Sequence, residues 1–196
     1  MKPNTKLIIA ATILFIFGSF GCSRSSTTLD EAKPSQGIIQ LLDSLGREIV
    51  LEEPAQRVVS LSPANTEIMF FVGAGNQLVG RETFSDFPED AKSIQDIGDG
   101  MGGINLEAIL AVEPDLILAG DLTPVEQVKA LEDVGLTVFV IPNPKQFQDL
   151  FKIIHMAAIL TGHENATETL IPDLESRLLA VQEKVSRAQA KPLVFY

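Results

Sequence analysis

Ser62, Pro63, Ala64 and Asn65 are the residues whose types and spacing first offer chemistry. Val58, Val59 and Leu61 before them make a short β-rich apolar run, and Ile68, Phe71 and Val72 after them recur at helical spacing. The four residues are therefore a tight polar turn between a strand and a helix. A helix start directs unpaired backbone N–H groups and the positive end of its dipole at whatever lies before it. In an open parallel sheet this turn sits at the carboxyl end of a strand, where ligands bind. The local alternative is that Ser62 and Pro63 only cap the helix, with proline at the first helical position.

Residues for bond-breaking chemistry are not assembled in this way. There is no Gly-x-Ser-x-Gly elbow and no Ser/His/Asp grouping, so an extracytoplasmic α/β hydrolase has little support and no enzyme is expected. His155 and His163 do not form a metal-binding spacing, and neither follows a strand. Gly73 and Gly75 form a Gly-x-Gly pair, but it follows a helix and Leu78 stands where a dinucleotide fold needs its third glycine. The Gly-rich stretch from Asp96 to Gly103 lacks the Lys-Ser/Thr of a phosphate loop and is expected to be mobile. A formal charge of −11 over 196 residues argues against a nucleic-acid partner, which would face a basic stripe. A single cysteine permits neither an internal disulfide nor a thiolate metal cluster.

That cysteine has its own setting. Lys2 and Lys6 give a positive start, and Leu7 to Phe20 is an apolar run. At about 14 residues the run falls short of the roughly 20 that span a bilayer, and it suits the core of a secretory signal. The sequence Ser19-Phe20-Gly21-Cys22 then resembles a bacterial lipoprotein signal, in which Cys22 becomes the first mature residue and carries the lipid. The alternative is an incidental cysteine in a membrane anchor. Residues 1–21 are read as signal peptide and 22–37, rich in Ser, Thr, Pro and Gly, as a flexible tether. Either way the folded part is expected outside the cytoplasmic membrane.

The elements that must position the turn follow in order. Residues 38–42 and 48–51 read as a hairpin around Asp43-Ser44-Leu45-Gly46. Leu78 to Gly80, Asp115 to Ala119 and Val138 to Ile141 are further buried strands. Between them, Asn105 caps a helix with Leu106, Ile109, Leu110 and Val112 on its apolar face, stopped by Pro114. Thr123-Pro124-Val125-Glu126 reads as a capping box, and Gly135 closes its helix. Phe147, Leu150, Phe151, Ile154 and Ala158 mark one face of a helix that ends at Gly162. The alternation predicts an α/β fold, a parallel sheet flanked by helices. By the same sheet logic Gly120, Asp121 and Asn143 share the carboxyl edge with Ser62. From about Asn165 to Gln189, Leu170, Leu174, Leu178, Val181 and Val185 predict a long helix that Pro172 kinks or restarts. Pro192 to Tyr196 reads as the start of another strand, so the chain looks interrupted; the alternative is an edge strand completing the sheet.

Four segments in order carry a family resemblance. Ser60-Leu61-Ser62-Pro63-Ala64-Asn65-Thr66-Glu67, Phe84-Ser85-Asp86-Phe87-Pro88, Asn105-Leu106-Glu107 and Glu113-Pro114-Asp115-Leu116-Ile117 together resemble the substrate-binding proteins of ABC importers for cobalamin, iron-siderophores and haem. Members have two α/β lobes joined by one long helix, with ligand held between them. The resemblance implies an N-terminal lobe at residues 38–162, an interlobe helix at 163–190 and, at 191–196, the first strand of a C-terminal lobe. It implies that Ser62 to Asn65 floor a cleft and that Phe84 stacks on the ligand. Cobalamin binders of the family often carry Trp in the loop before Asn105; this chain has the adaptable Met101 there. It also implies that Glu107 docks onto arginine of the permease, against the alternative that this carboxylate only complements a helix dipole. The implied ligand is a corrinoid, ferric siderophore or haem, with no resident cofactor or bare metal. The implied protein is a lipid-anchored monomer that works with ABC permease subunits. A one-lobed accessory or sensor lipoprotein, or a non-functional fragment, is the other reading.

Overall fold

The strands alternate which face they bury, and that alternation builds the lobe. In this computed structural model, residues 37–99, 103–188 and 193 are described. Strand β3 (Val58–Ser60) lies at the centre of a sheet with β4 (Leu78–Arg81), β5 (Leu116–Gly120) and β6 (Val138–Ile141), in spatial order β4-β3-β5-β6. Every neighbouring pair in it is parallel. Val58, Leu116, Leu118, Phe139 and Ile141 point into one apolar cluster, while Val59, Ile117, Ala119, Val138 and Val140 point into the other. A strand buried on both faces reads as a near-continuous apolar run, unlike one facing water on one side. This is why β5 and β6 read as unbroken apolar runs.

Helices α1 (Pro63–Phe71) and α4 (Phe147–Thr161) cover the first face through Met69, Ile153, Ile154, Ala158 and Leu160. Helices α2 (Leu106–Ala111) and α3 (Val125–Glu132) cover the second through Ile109, Val128 and Leu131. The expected parallel sheet with helices on both sides is what the chain forms. Gly162, at φ 75, takes the left-handed cap conformation and ends α4. Helix α5 (Glu164–Ser186) follows, with Pro172 inside a single helical segment. Pro172 therefore does not restart the helix. His155 of α4 meets Thr167 of α5 at 3.1 Å, a tie between the two helices that the sequence left unread.

The hairpin β1 (Ile39–Leu42) and β2 (Glu48–Leu51) is a separate antiparallel pair. Its turn serves the main sheet, because Ser44 N–H donates to Val140 O at 2.9 Å along the β6 edge. Arg47 Nη2 donates to Val138 O at 3.1 Å from the same turn. Covering an open strand edge in this way removes a template for unwanted pairing.

Several expectations fail in instructive ways. The Thr123 capping box does not form: Pro124, at φ −56 and ψ 137, is itself the cap residue, with no side-chain cap bond. Its extended ψ makes Pro124 the last residue before the helix and leaves Thr123 outside it. Leu110 and Phe147, expected on apolar faces, are exposed, the first in a helix of only six residues and the second at a helix start. The loop expected to be mobile is tied down in its described part: Arg81 and Asp96 form a parallel bridge, and Ile97 is buried. Cys22, Met101 and nearly all of 191–196 lie outside the described residues.

Candidate functional site

The chain passes from β3 to β4 on one side and from there to β5 on the other side of β3. The strand order therefore reverses between β3 and β5, the position where open α/β sheets leave a crevice beyond the strand ends. Ser62 follows β3 and Gly120 ends β5. A Cβ on Gly120 would lie 3.7 Å from both Cβ and Oγ of Ser62, so the two residues face each other across that reversal. A cavity of about 170 Å³ opens there, lined by both and by Leu61, Glu82, Ile97, Gly98, Asp99, Ile104, Asn105, Ile109, Leu122, Thr123, Pro124 and Gln127.

Local sequence explains the floor of the cavity. Ser62 is the cap of α1, its Oγ accepting from Asn65 N–H at 3.3 Å, with Pro63 at the helix start. Capping and lining the cavity are thus not alternatives; Ser62 does both. Pro63 and Ala64 are exposed. Asn65 is buried and donates through Nδ2 to Leu118 O at 3.1 Å, which pins α1 to β5. Such a bond matters because a buried amide left without a partner costs about 1–3 kcal/mol.

Beneath the turn runs a buried polar chain that sequence reasoning missed. Ser60 Oγ donates to Ser62 O at 2.9 Å, and Thr66 Oγ1 lies 2.8 Å from Ser60 Oγ and 3.0 Å from Ser85 Oγ. The Ser85 hydroxyl donates to Glu82 Oε1 at 3.2 Å, and Phe84 N–H donates to Glu82 Oε2 at 3.0 Å. Glu82 N–H in turn donates to Ser60 O at 3.0 Å. A carboxylate thus fixes the loop that presents Phe84, whose own ring is 60% exposed. The signal available in the sequence was a charged residue directly after a buried strand.

On the far side of Glu82 the loop is held by Asp96. Its Oδ1 accepts from Gly98 N–H at 2.8 Å and from the Thr83 hydroxyl at 2.9 Å. The Gly98 N–H chiefly, with Thr83 and the Arg81 charge, holds this carboxyl below its ordinary value against the opposing pull of desolvation.

The remaining sequence-derived residues are spread along the same edge. Phe84 follows β4, Asp121 follows β5 and Asn143 follows β6, all exposed, and none of them lines the cavity. Asn105 lines it and caps α2, accepting from Ala108 N–H at 3.1 Å. Glu107 is exposed in the first turn of that helix. Among the described residues, no group of three or more His, Cys, Asp or Glu is placed to hold a metal ion. Also among them, no helix is long and apolar enough to cross a membrane.

Residues 58–196 match the family described as periplasmic binding protein. An uncharacterized ABC transporter substrate-binding lipoprotein, YvrC, of Bacillus subtilis (strain 168) is 28% identical over 184 residues, covering 91% of this chain and 56% of that protein. The crystal structure of the periplasmic vitamin B12 binding protein BtuF of Vibrio cholerae is similar at a TM-score of 0.62 and 27% identity, covering 69% of this chain and 53% of that one. The periplasmic haem binding protein HutB of Vibrio cholerae is similar at a TM-score of 0.60 and 26% identity, covering 70% and 52%. The chain spans about half the length of these relatives. With a matching lobe, a crevice at the strand-order reversal and a family match over most of its length, the chain belongs to the periplasmic binding protein family.

Proposed function

We propose that this chain supplies the first lobe and connecting helix of an extracytoplasmic substrate-binding component of an ABC importer. Its ligand is a metal chelate of the corrinoid, ferric siderophore or haem class. The observation that carries the reading is the cavity between Ser62 and Gly120 at the strand-order reversal. The exposed Phe84 on the neighbouring loop supports it, as a face for a flat ligand to stack on. Pro63, Ala64, Met101, Asp121 and Asn143 complete the ligand wall in this reading. Relatives that carry the names of B12 and haem binders agree with the ligand class at this coarse level.

The domain plan belongs to the same proposal. Residues 38–162 form the lobe, 163–190 join it to a second lobe, and 191–196 begin that lobe. Support comes from α5, in which Thr167 is buried while Leu179, Val181 and Val185 are exposed along the later turns. Cys22 carries the lipid that tethers the protein to the membrane, and Glu107 docks on the permease. The protein acts as a monomer.

The test is the visible spectrum of the protein purified from its host. Corrinoid, haem and ferric siderophore absorb differently, and because the chain contains no tryptophan whose fluorescence could report binding, the ligand's own colour is the probe. Bound colour of one of these classes is expected. A colourless protein that also ignores all three when they are added would overturn the reading.

A further inference from the structure

Glu82 is 4% exposed and lines the cavity. Both its oxygens are held by uncharged donors, Phe84 N–H and the Ser85 hydroxyl. A carboxylate offers about four lone-pair directions, so two accepted bonds leave acceptor capacity for a group inside the cavity. The other polar side chains of the lining are those of Ser62, Asp99, Asn105, Thr123 and Gln127. Among the described residues, no Lys, Arg or His lines it. The adjacent Arg81 is directed elsewhere, donating to the carbonyls of Ala91, Glu82 and Thr83 at 2.9–3.0 Å and pairing with Asp96 at 3.6 Å. Lys145 follows β6 on the same edge of the sheet but does not line the cavity.

We propose that Glu82 is a specificity-determining residue. It accepts hydrogen bonds from uncharged donors on the rim of the ligand, primary amides above all, and turns away ligands whose rim presents carboxylates. The reason is a difference in desolvation. An amide entering the cavity gives up neutral hydration and gains a charge-assisted bond, which is about twice as strong as a neutral one. A carboxylate would lose the hydration of a full charge and meet a like charge with no cation in the lining to offset it. The proposal rests on the ligand class given under Proposed function and narrows it.

The purified protein, titrated separately with cyanocobalamin (amide-rimmed) and haemin (carboxylate-rimmed) and followed by absorption, tests this. Cyanocobalamin is expected to bind at least about tenfold more tightly. Glu82→Gln keeps the side-chain shape and should narrow that ratio. Because Glu82 also holds the Phe84 loop, Leu122→Arg is the second variant: Leu122 is 88% exposed and lines the cavity, so an arginine there should improve haemin binding without a folding penalty. Haemin binding as tightly as cyanocobalamin to the unaltered protein overturns the assignment of Glu82 and leaves the proposed function standing. So does a ratio that neither variant moves. Failure to bind either chelate also overturns it, and failure of ferric siderophores as well removes the proposed function with it.

Discussion

Asp43 and Glu82 are both buried carboxylates at turns that follow strands, yet their surroundings differ. Asp43 Oδ1 accepts from Leu45 N–H at 2.9 Å and Arg47 N–H at 3.0 Å, while Oδ2 faces the Arg47 guanidinium and Val140 N–H. Arg47 also pairs with Glu132. Desolvation alone would raise the Asp43 carboxyl, but the bonds and charge of Arg47 outweigh it and hold the group below its ordinary value. Among the described residues the Glu82 carboxylate has two uncharged donors and no arginine partner, and Glu82 lines a cavity. A buried charge surrounded by partners closes a structure, whereas the proposal above gives the carboxylate that lines a cavity a part in binding. On that proposal the two turns separate stability from binding, and altering each should affect one property without the other.

The largest effect is expected at the Asp43 turn. Arg47→Ala leaves a buried carboxylate without its cation, a change that costs about 3–5 kcal/mol in comparable cases. Urea unfolding should register that loss while the chelate affinity of the folded fraction stays as it was. The pH dependence follows from the sign of the shift. A carboxyl lowered on folding contributes its full stability above the ordinary value of 3.8. That contribution is lost as pH falls from there through the lower folded value. Asp43→Asn should accordingly flatten the acid limb of the unfolding curve; an unchanged limb would show that the pair does not couple to folding.

A smaller and opposite effect is expected at the Glu82 turn. Phe84→Ala removes an exposed ring, so stability should change by no more than about 0.5 kcal/mol. Chelate affinity should fall about tenfold, the loss of one stacking face. A melt that shifts while affinity holds would reverse the division between the two turns. The smallest effect belongs to Glu107→Ala. Loss of a first-turn carboxylate costs about 0.3–1 kcal/mol at most. Ligand affinity should stay level while transport in cells declines, and equal loss of both would place Glu107 in the ligand wall or the fold instead.

What the sequence made legible was local. The turn at Ser62, the cap at Asn105, the stop at Gly162 and the apolar strands all lie within contiguous residues whose spacing follows one helical or extended period. The family resemblance also rested on short contiguous segments. The Thr123 box failed because one backbone angle at Pro124 moved the helix start past it, which residue types alone do not reveal. The chain from Ser60 through Thr66 and Ser85 to Glu82 joins three separate segments, and no spacing rule brings them together. The Arg47 pairing with Glu132 spans 85 positions for the same reason. Long-range polar contacts of this kind appear only once the sheet order is known.

Gly120 allows the most direct test of the account. Its backbone is not in the left-handed region, and an added Cβ would meet only Ser62 at ordinary contact distance, so Gly120→Leu should fold and project its side chain into the cavity. The measurement is chelate affinity by absorption titration, with the melting temperature recorded alongside. The account predicts a near-normal melt and at least about a hundredfold loss of affinity, which is roughly 2.7 kcal/mol. A Gly120→Leu protein that folds and binds its chelate as tightly as the parent would contradict the claim that ligand sits between Ser62 and Gly120.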